Sequence, residues 1–241
     1  WGKNQSGMQA KEEISIEDQD KAKKIIQSHF KSSVKMVKKL LDLGLHKQVC
    51  NRYLEPFMYQ NTIISATEWD NFFKLRFHED CEPHFFQLAK CIKKAFDEHT
   101  PEQLLPGEWH LPFIDTKRDE NNKLIYGLSD ETGFEEVSLE IAKKISCSTV
   151  AQISYRKEDR TIDTANKVFD KLLNSEPKHS SCSEHQGTPI DYNSLSDMNF
   201  LDDKGITHMD RLYNLWGKNF KGWKMLDRKS TRLNSSHEDL S

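Results

Sequence analysis

The chain has 241 residues, of which 30% are charged and 36% hydrophobic, and its formal net charge is −3. A charge so close to zero excludes the bulk electrostatics of a nucleic-acid or membrane-surface binder, and no stretch approaches the roughly 18 consecutive apolar residues of a membrane span. The size suits one domain with a modest core and long solvated helical faces. Five scattered cysteines (Cys50, Cys81, Cys91, Cys147, Cys182) are an odd number, which argues against a disulfide framework and for a reducing compartment. Residues 1–20 are polar and carry no secretory signal. Trp1 has no Met before it, so the chain is expected to begin inside a longer reading frame.

Apolar positions at helical spacing (Ala22, Ile25, Ile26, Phe30, Val34, Val37, Leu40, Leu41) predict a long amphipathic helix over 17–43, closed by Gly44. A second helix is expected over 46–54, stopping near Pro56. Ser65 and Glu68 have capping-box spacing and predict a helix to about Phe77. Another fits 82–98, with Phe85, Leu88, Ala89, Ile92 and Phe96 on one side. Nearly all of these stripes read as core faces. Pro101, Pro106, Gly107 and Pro112 punctuate the next segment, where short strands are expected at 111–115 and 123–127. Helices are expected again at 135–153 and 162–174, followed by an extended loop over 175–206 and a last helical piece at 207–215. The tail 227–241 has almost no core-forming residues and resembles translated cloning adaptor, so it is set apart from 1–226.

Three groups of residues could carry chemistry. His179-x-x-Cys182-x-x-His185 has ligand types that suit zinc, but no second pair accompanies it, and a polar loop with solvated histidines is the preferred reading. Gln48 and Arg52 share a helical face just before Pro56, where a guanidinium could bind a phosphate or carbonyl edge, or simply pair with Glu55. Asn71 and Arg76 lie five apart and could border a cleft, with Trp69, Phe72 and Phe73 anchoring the opposite face. A core helix with a solvated arginine explains them equally well.

Taken in order, Gly44-Leu45-His46-Lys47-Gln48, Asn51-Arg52, Leu54-Glu55-Pro56-Phe57-Met58 and Ala66-Thr67-Glu68-Trp69-x-Asn71-Phe72-Phe73-x-Leu75-Arg76-x-His78 resemble the phage branch of the flavin-dependent thymidylate synthases. Trp1-Gly2-Lys3-Asn4-Gln5, Gly7-Met8-Gln9, Gly107-Glu108-Trp109-His110-Leu111-Pro112, Glu184-His185-Gln186, Thr188-Pro189 and Asn219-Phe220-Lys221-Gly222-Trp223 agree with the same pattern, so the resemblance spans 1–226. It implies a helix-rich α/β (α+β) fold and a homotetramer. It also implies conversion of deoxyuridine monophosphate (dUMP) to thymidylate with FAD, NADPH and methylenetetrahydrofolate. The setting it implies is the cytoplasm of a bacterial host, with the protein phage-encoded. In such enzymes the cofactor supplies the hydride and the protein supplies orientation and electrostatics, which accounts for the lack of a catalytic triad or paired carboxylates.

Carried over position by position, Arg52 matches a nucleotide-binding arginine. Arg76 matches the arginine that contacts and polarises the pyrimidine, where a fixed cation stabilises developing enolate charge. Asn71 and His185 match flavin-contacting positions. Ser65 and Thr67 stand where more typical members have Asn and Arg that touch flavin. No metal is expected, since the Glu184-His185 loop belongs to the family pattern.

The departures are specific. The family's Arg-His-Arg or Thr-His-Arg signature is absent from the chain and is expected upstream of Trp1. Cys182 and Ser183 replace Pro-Phe, and Thr149 and Gln152 replace arginines. Two other classes compete: a non-catalytic superfamily member that binds nucleotide or serves assembly, and a helical interaction protein that binds no flavin at all.

Overall fold

The structure, a computed structural model, describes residues 1–7, 9–177, 179–195 and 205–226. The tail set apart at 227–241 and part of the loop over 175–206 lie outside the described residues. The chain divides into two units of mixed helix and sheet character overall. The first comprises Trp1–Gln60 and Asp70–Thr100, and the second comprises Asn61–Trp69 with the chain from Pro101 onward. Among the described residues, no helix is long and apolar enough to cross a membrane.

The first unit is helical: α1 (Ile16–Asp42), α2 (Lys47–Arg52), α3 (Asp70–Arg76) and α4 (Pro83–Glu98). Local chemistry sets their ends. The Ser15 hydroxyl accepts from the Asp18 amide, and Glu17 and Asp18 face the positive end of the α1 dipole. At the other end the Leu45 and Gly44 amides donate back to the carbonyls of Leu40 and Leu41, a Schellman closure that needs the left-handed φ of +83° at Gly44. His46 caps α2, and Pro56 replaces its expected last turn with a 3₁₀ turn over Glu55–Phe57. Phe57 packs against His29 and Phe30 of α1. Glu82 caps α4 through the Phe85 amide, with Pro83 at the first helical position. Phe73 of α3 meets Phe96 of α4 edge-on, and the Arg76 guanidinium lies 5.7 Å from the Phe85 ring centre.

Two expectations fail here. The stripes on α1 and α4 are not core faces throughout, since Ile25 is 70% exposed and Phe85 53%, while α1 buries only Ser33 and Val37 and α4 only Ala89. The helix expected from Ser65 begins at Asp70 instead, because residues 65–69 direct their polar groups into tertiary bonds within the second unit.

The second unit pairs β1 (Asp115–Arg118), β2 (Leu124–Asp130) and β3 (Gly133–Val137) in an antiparallel meander. The strand expected at 111–115 starts only at Asp115; Leu111 instead joins Leu124, Tyr126 and Ala142 in a core cluster, and Phe113 takes a left-handed φ. The helix expected from 135 gives its first three residues to β3, and Ser138 then caps α5 (Leu139–Ile153). α6 (Ile162–Leu173), capped by Thr161, packs along α5. After a 3₁₀ turn over Ser180–Ser183, β4 (Gly187–Pro189) pairs antiparallel with β8 (Trp223–Met225).

The helix expected at 207–215 is a hairpin of β5 (His208–Met209) and β6 (Leu215–Gly217), extended by β7 (Phe220–Lys221). Asp210 overrides the helical spacing. Its carboxylate accepts from the Leu212 and Asn214 amides, the Asn214 side chain and the Trp216 indole, closing a turn that a helix would not allow. Ile190, Ile206 and Leu215 form the core beneath it.

Candidate functional site

In the second unit, segments far apart in sequence meet at His185. The residue follows the 3₁₀ turn and precedes β4, so the strand fixes where its ring stands. Ser65 Oγ lies 3.0 Å from His185 Nδ1, a bond between residues 120 positions apart. With a neutral imidazole, one ring nitrogen serves Ser65 and the other remains for a second partner. Burial lowers the proton affinity of His185 below the ordinary 6.5, and the Glu184 carboxylate partly opposes that. Glu184 in turn is ion-paired with Lys218, in the turn between β6 and β7.

Thr67 secures the same segment. Its amide donates to the Asn219 carbonyl at 3.1 Å, its hydroxyl donates there at 3.4 Å, and the Lys221 amide donates to that hydroxyl at 2.8 Å. Ala66 accepts from the Trp69 indole at 2.9 Å. The 65–69 stretch is thus held by its own side chains against the β6–β7 turn on one side and His185 on the other.

Behind His185 the wall is polar and closed. Gln186 is fully buried, its amide nitrogen donating to Ser146 Oγ of α5 at 3.0 Å, while its Oε1 has no hydrogen-bond partner among the described residues. Cys182 and Cys147 are buried against each other; their mutual hydrogen bond, then burial, pushes the Cys147 thiol well up, so it stays protonated. The two positions where arginines were expected serve α5 itself. Thr149 Oγ1 donates to the Ile145 carbonyl, and Gln152 spans Ser148 and the backbone of Asp159. Among the described residues, no group of three or more His, Cys, Asp or Glu side chains is placed to hold a metal ion. Cys182 of the zinc-like triplet instead donates its thiol hydrogen to the His179 carbonyl.

His110 is a residue that sequence reading did not single out for this place. Its amide and carbonyl both bond Gly187, at 2.7 and 3.2 Å, which sets it directly across from β4. Much of its surface meets solvent, yet the protein around the ring lowers its proton affinity below 6.5, and repulsion from His185 adds to that. The only signal in the sequence was the Gly107–Pro112 motif, and nothing local says that this motif pairs with residue 187.

The other predicted residues belong to the first unit. Arg52 is the last residue of α2, Asn71 is in the first turn of α3, and Arg76 ends α3 over the Phe85 ring. Arg52 and Asn71 are exposed, as is Arg76. Ser65, Thr67 and His185 are therefore brought together in one unit, while the two arginines and Asn71 are carried by the other. Among the described residues, open clefts lie elsewhere. One of about 570 Å³ is lined by Asp130, Glu135 and Arg160, and one of about 390 Å³ by Trp1, Asn4 and Glu82; neither includes any of these six residues.

The fold and this histidine-centred cluster define an α+β protein with a neutral, partly enclosed polar site. The chain matches no protein-family model, no curated protein and no solved structure.

Proposed function

We propose that the chain is a fragment of a flavin-dependent thymidylate synthase of the phage-like kind, lacking the family's flavin signature, with Ser65 and His185 contributing to the FAD site. One observation carries the reading: Ser65, which stands where more typical members have a flavin-contacting residue, and His185, matched to a flavin contact, are hydrogen-bonded across 120 positions of sequence. The chemistry of the donors fits the group. A neutral imidazole and a hydroxyl offer both donor and acceptor to an uncharged heteroaromatic ring, with no charge left to neutralise.

Bound flavin would supply the reducing equivalents for making thymidylate from dUMP and methylenetetrahydrofolate, after reduction by NADPH. In this reading the protein's groups orient and polarise. Ser65 fixes the orientation of the His185 ring, and the Thr67 bonds keep Ser65 in place. The resemblance gives Arg52 a nucleotide-binding role, Arg76 a role in stabilising charge on a pyrimidine carbonyl, and Asn71 a flavin-contacting role, each within the first unit alone.

The test is the visible spectrum of the purified chain after incubation with FAD and gel filtration. Retained flavin absorbance that bleaches with NADPH and returns with dUMP plus methylenetetrahydrofolate supports the enzyme. Arg76→Ala is expected to abolish thymidylate formation while sparing flavin retention. Flavin that binds but never turns over favours a non-catalytic relative, and a protein that takes up no flavin even with the signature-bearing segment restored removes the reading.

A further inference from the structure

The net charge of −3 averages over an uneven distribution. Residues 21–39, all within α1, include seven lysines and no acidic residue. Lys21 and Lys23 pair with Glu17, Asp18 and Asp20 at the start of the helix. Lys24, Lys31, Lys35, Lys38 and Lys39 are exposed, and among the described residues no carboxylate pairs with them. Lys31, Lys35 and Lys39 follow one another four apart, a like-charge spacing that weakens an isolated helix. The band therefore does nothing for the stability of α1 itself.

At roughly 100° per residue, α1 presents three strips side by side. Ser33 and Val37 mark the strip packed within the unit, where Phe57 meets Phe30. Beside it Ile25, Met36 and the C-cap Leu43 form one row, 70%, 40% and 83% exposed. The unpaired lysines occupy the strip beyond that row, with Lys24 and Lys35 next in sequence to Ile25 and Met36. An apolar row edged by ammonium groups on flexible stems matches the boundary of a bilayer, where hydrocarbon sinks below the headgroups while lysines reach up to them. A nucleic-acid backbone would engage the ammonium groups and leave the apolar row wet. Clusters of four to eight basic residues on an amphipathic helix are what an anionic leaflet attracts.

We infer that α1 is a peripheral docking face for an anionic lipid surface. The row of Ile25, Met36 and Leu43 seats at the headgroup boundary, and the lysine strip engages the lipid phosphates and carboxylates. The docking face stands apart from the flavin reading of the His185 site and needs no membrane-spanning helix.

The experiment sediments the full chain with vesicles of phosphatidylcholine alone, or of a two-to-one mixture with phosphatidylserine, at low and high salt. It compares wild type with Lys24→Gln plus Lys35→Gln, with the same two positions changed to Arg, and with Ile25→Ser, each checked for unchanged helicity. Wild type is expected on the mixed vesicles alone, and should leave them at high salt as charges are screened. The glutamine pair should weaken binding about thirtyfold, roughly fivefold per lysine, while the arginine pair retains it. Ile25→Ser should weaken it about tenfold, the share of one seated aliphatic side chain. No binding to the mixed vesicles at low salt overturns the inference. Binding that ignores the glutamine pair puts the lipid contact outside α1, and binding that ignores Ile25→Ser unseats the apolar row; either result overturns it. A labelled DNA duplex bound as tightly as the mixed vesicles, through the same lysines, assigns the strip to a phosphate polymer and overturns the lipid assignment.

Discussion

The helical unit and the sheet-bearing unit obtain their order from different sources. In the first, α1 runs 27 residues while burying only Ser33 and Val37, and Ile25, Ile26 and Phe30 stay exposed. Its regularity comes from the Ser15 cap, the Gly44 closure and surface pairs such as Lys21 with Glu17. Pairs of that kind contribute only a few tenths of a kcal/mol each. In the second unit α5 is enclosed, with Ala142, Ile145, Ser146, Cys147, Ser148 and Thr149 all buried. The difference teaches that an apolar stripe predicts a helix well and its burial poorly. Periodicity is a property of one segment, whereas burial depends on what packs against it.

The sharpest way to break this comparison is to make the same truncation in both units. Ile145→Ala, at a fully buried position, is expected to cost about 2–4 kcal/mol by lost transfer energy and cavity formation. Ile25→Ala, at 70% exposure, should cost under about 0.5 kcal/mol. Urea unfolding followed by far-ultraviolet circular dichroism compares them. Equal losses would show that the α1 face is covered in solution and would remove the contrast.

A smaller effect tests how the second unit holds its inserted stretch. Thr67→Val keeps the shape but deprives the Lys221 amide of its acceptor, and should cost about 1–2 kcal/mol, the penalty for a partly buried unsatisfied donor. Thr67→Ser should restore most of it. Faster hydrogen exchange at the Lys221 amide in the valine variant alone would locate the loss. Unchanged exchange would mean that Thr67 does not pin the β6–β7 turn.

Local signals made much of the fold legible. The limits of α1, α4 and α6 follow from caps and spacing, and Gly44 was readable as a closing residue because only one backbone conformation serves there. Where reading failed, a distant partner had intervened. Ser65 has the spacing of a helix cap, yet its hydroxyl bonds His185. Residues 135–137 carry helical spacing but pair with β2, and 207–215 became a hairpin because one carboxylate, Asp210, gathers four donors. The site was legible in part for the same reason. Motif matching marked Ser65, Thr67 and His185 one by one, but their meeting, and the arrival of His110 opposite Gly187, depend on strand pairing that no short segment encodes.

The smallest expected effect is a pH dependence, and its pH window distinguishes the two histidines from the acidic groups of the same unit. His110 and His185 bind protons less tightly in the folded chain than at the ordinary 6.5. The unfolded chain therefore holds more protons between the folded values and 6.5, so stability rises with pH across that window and is lost as pH falls through it. Asp159, lowered from 3.8 to about 2 by the hydroxyls of Thr164 and Thr161, contributes above 3.8 and loses its contribution only as pH falls toward 2. Between pH 7.5 and 5.5 the histidine effect is thus separated from that of Asp159. The urea midpoint should be lower at pH 5.5 than at 7.5, and the difference should shrink in His110→Gln, which removes one of the two depressed groups. Glu184 works against the effect by favouring protonated His185, so the shift stays small. A midpoint that rises on acidification would mean that burial does not hold the two rings neutral, and the contrast between a surface-stabilised helical unit and an enclosed, histidine-bearing one would lose its chemical half.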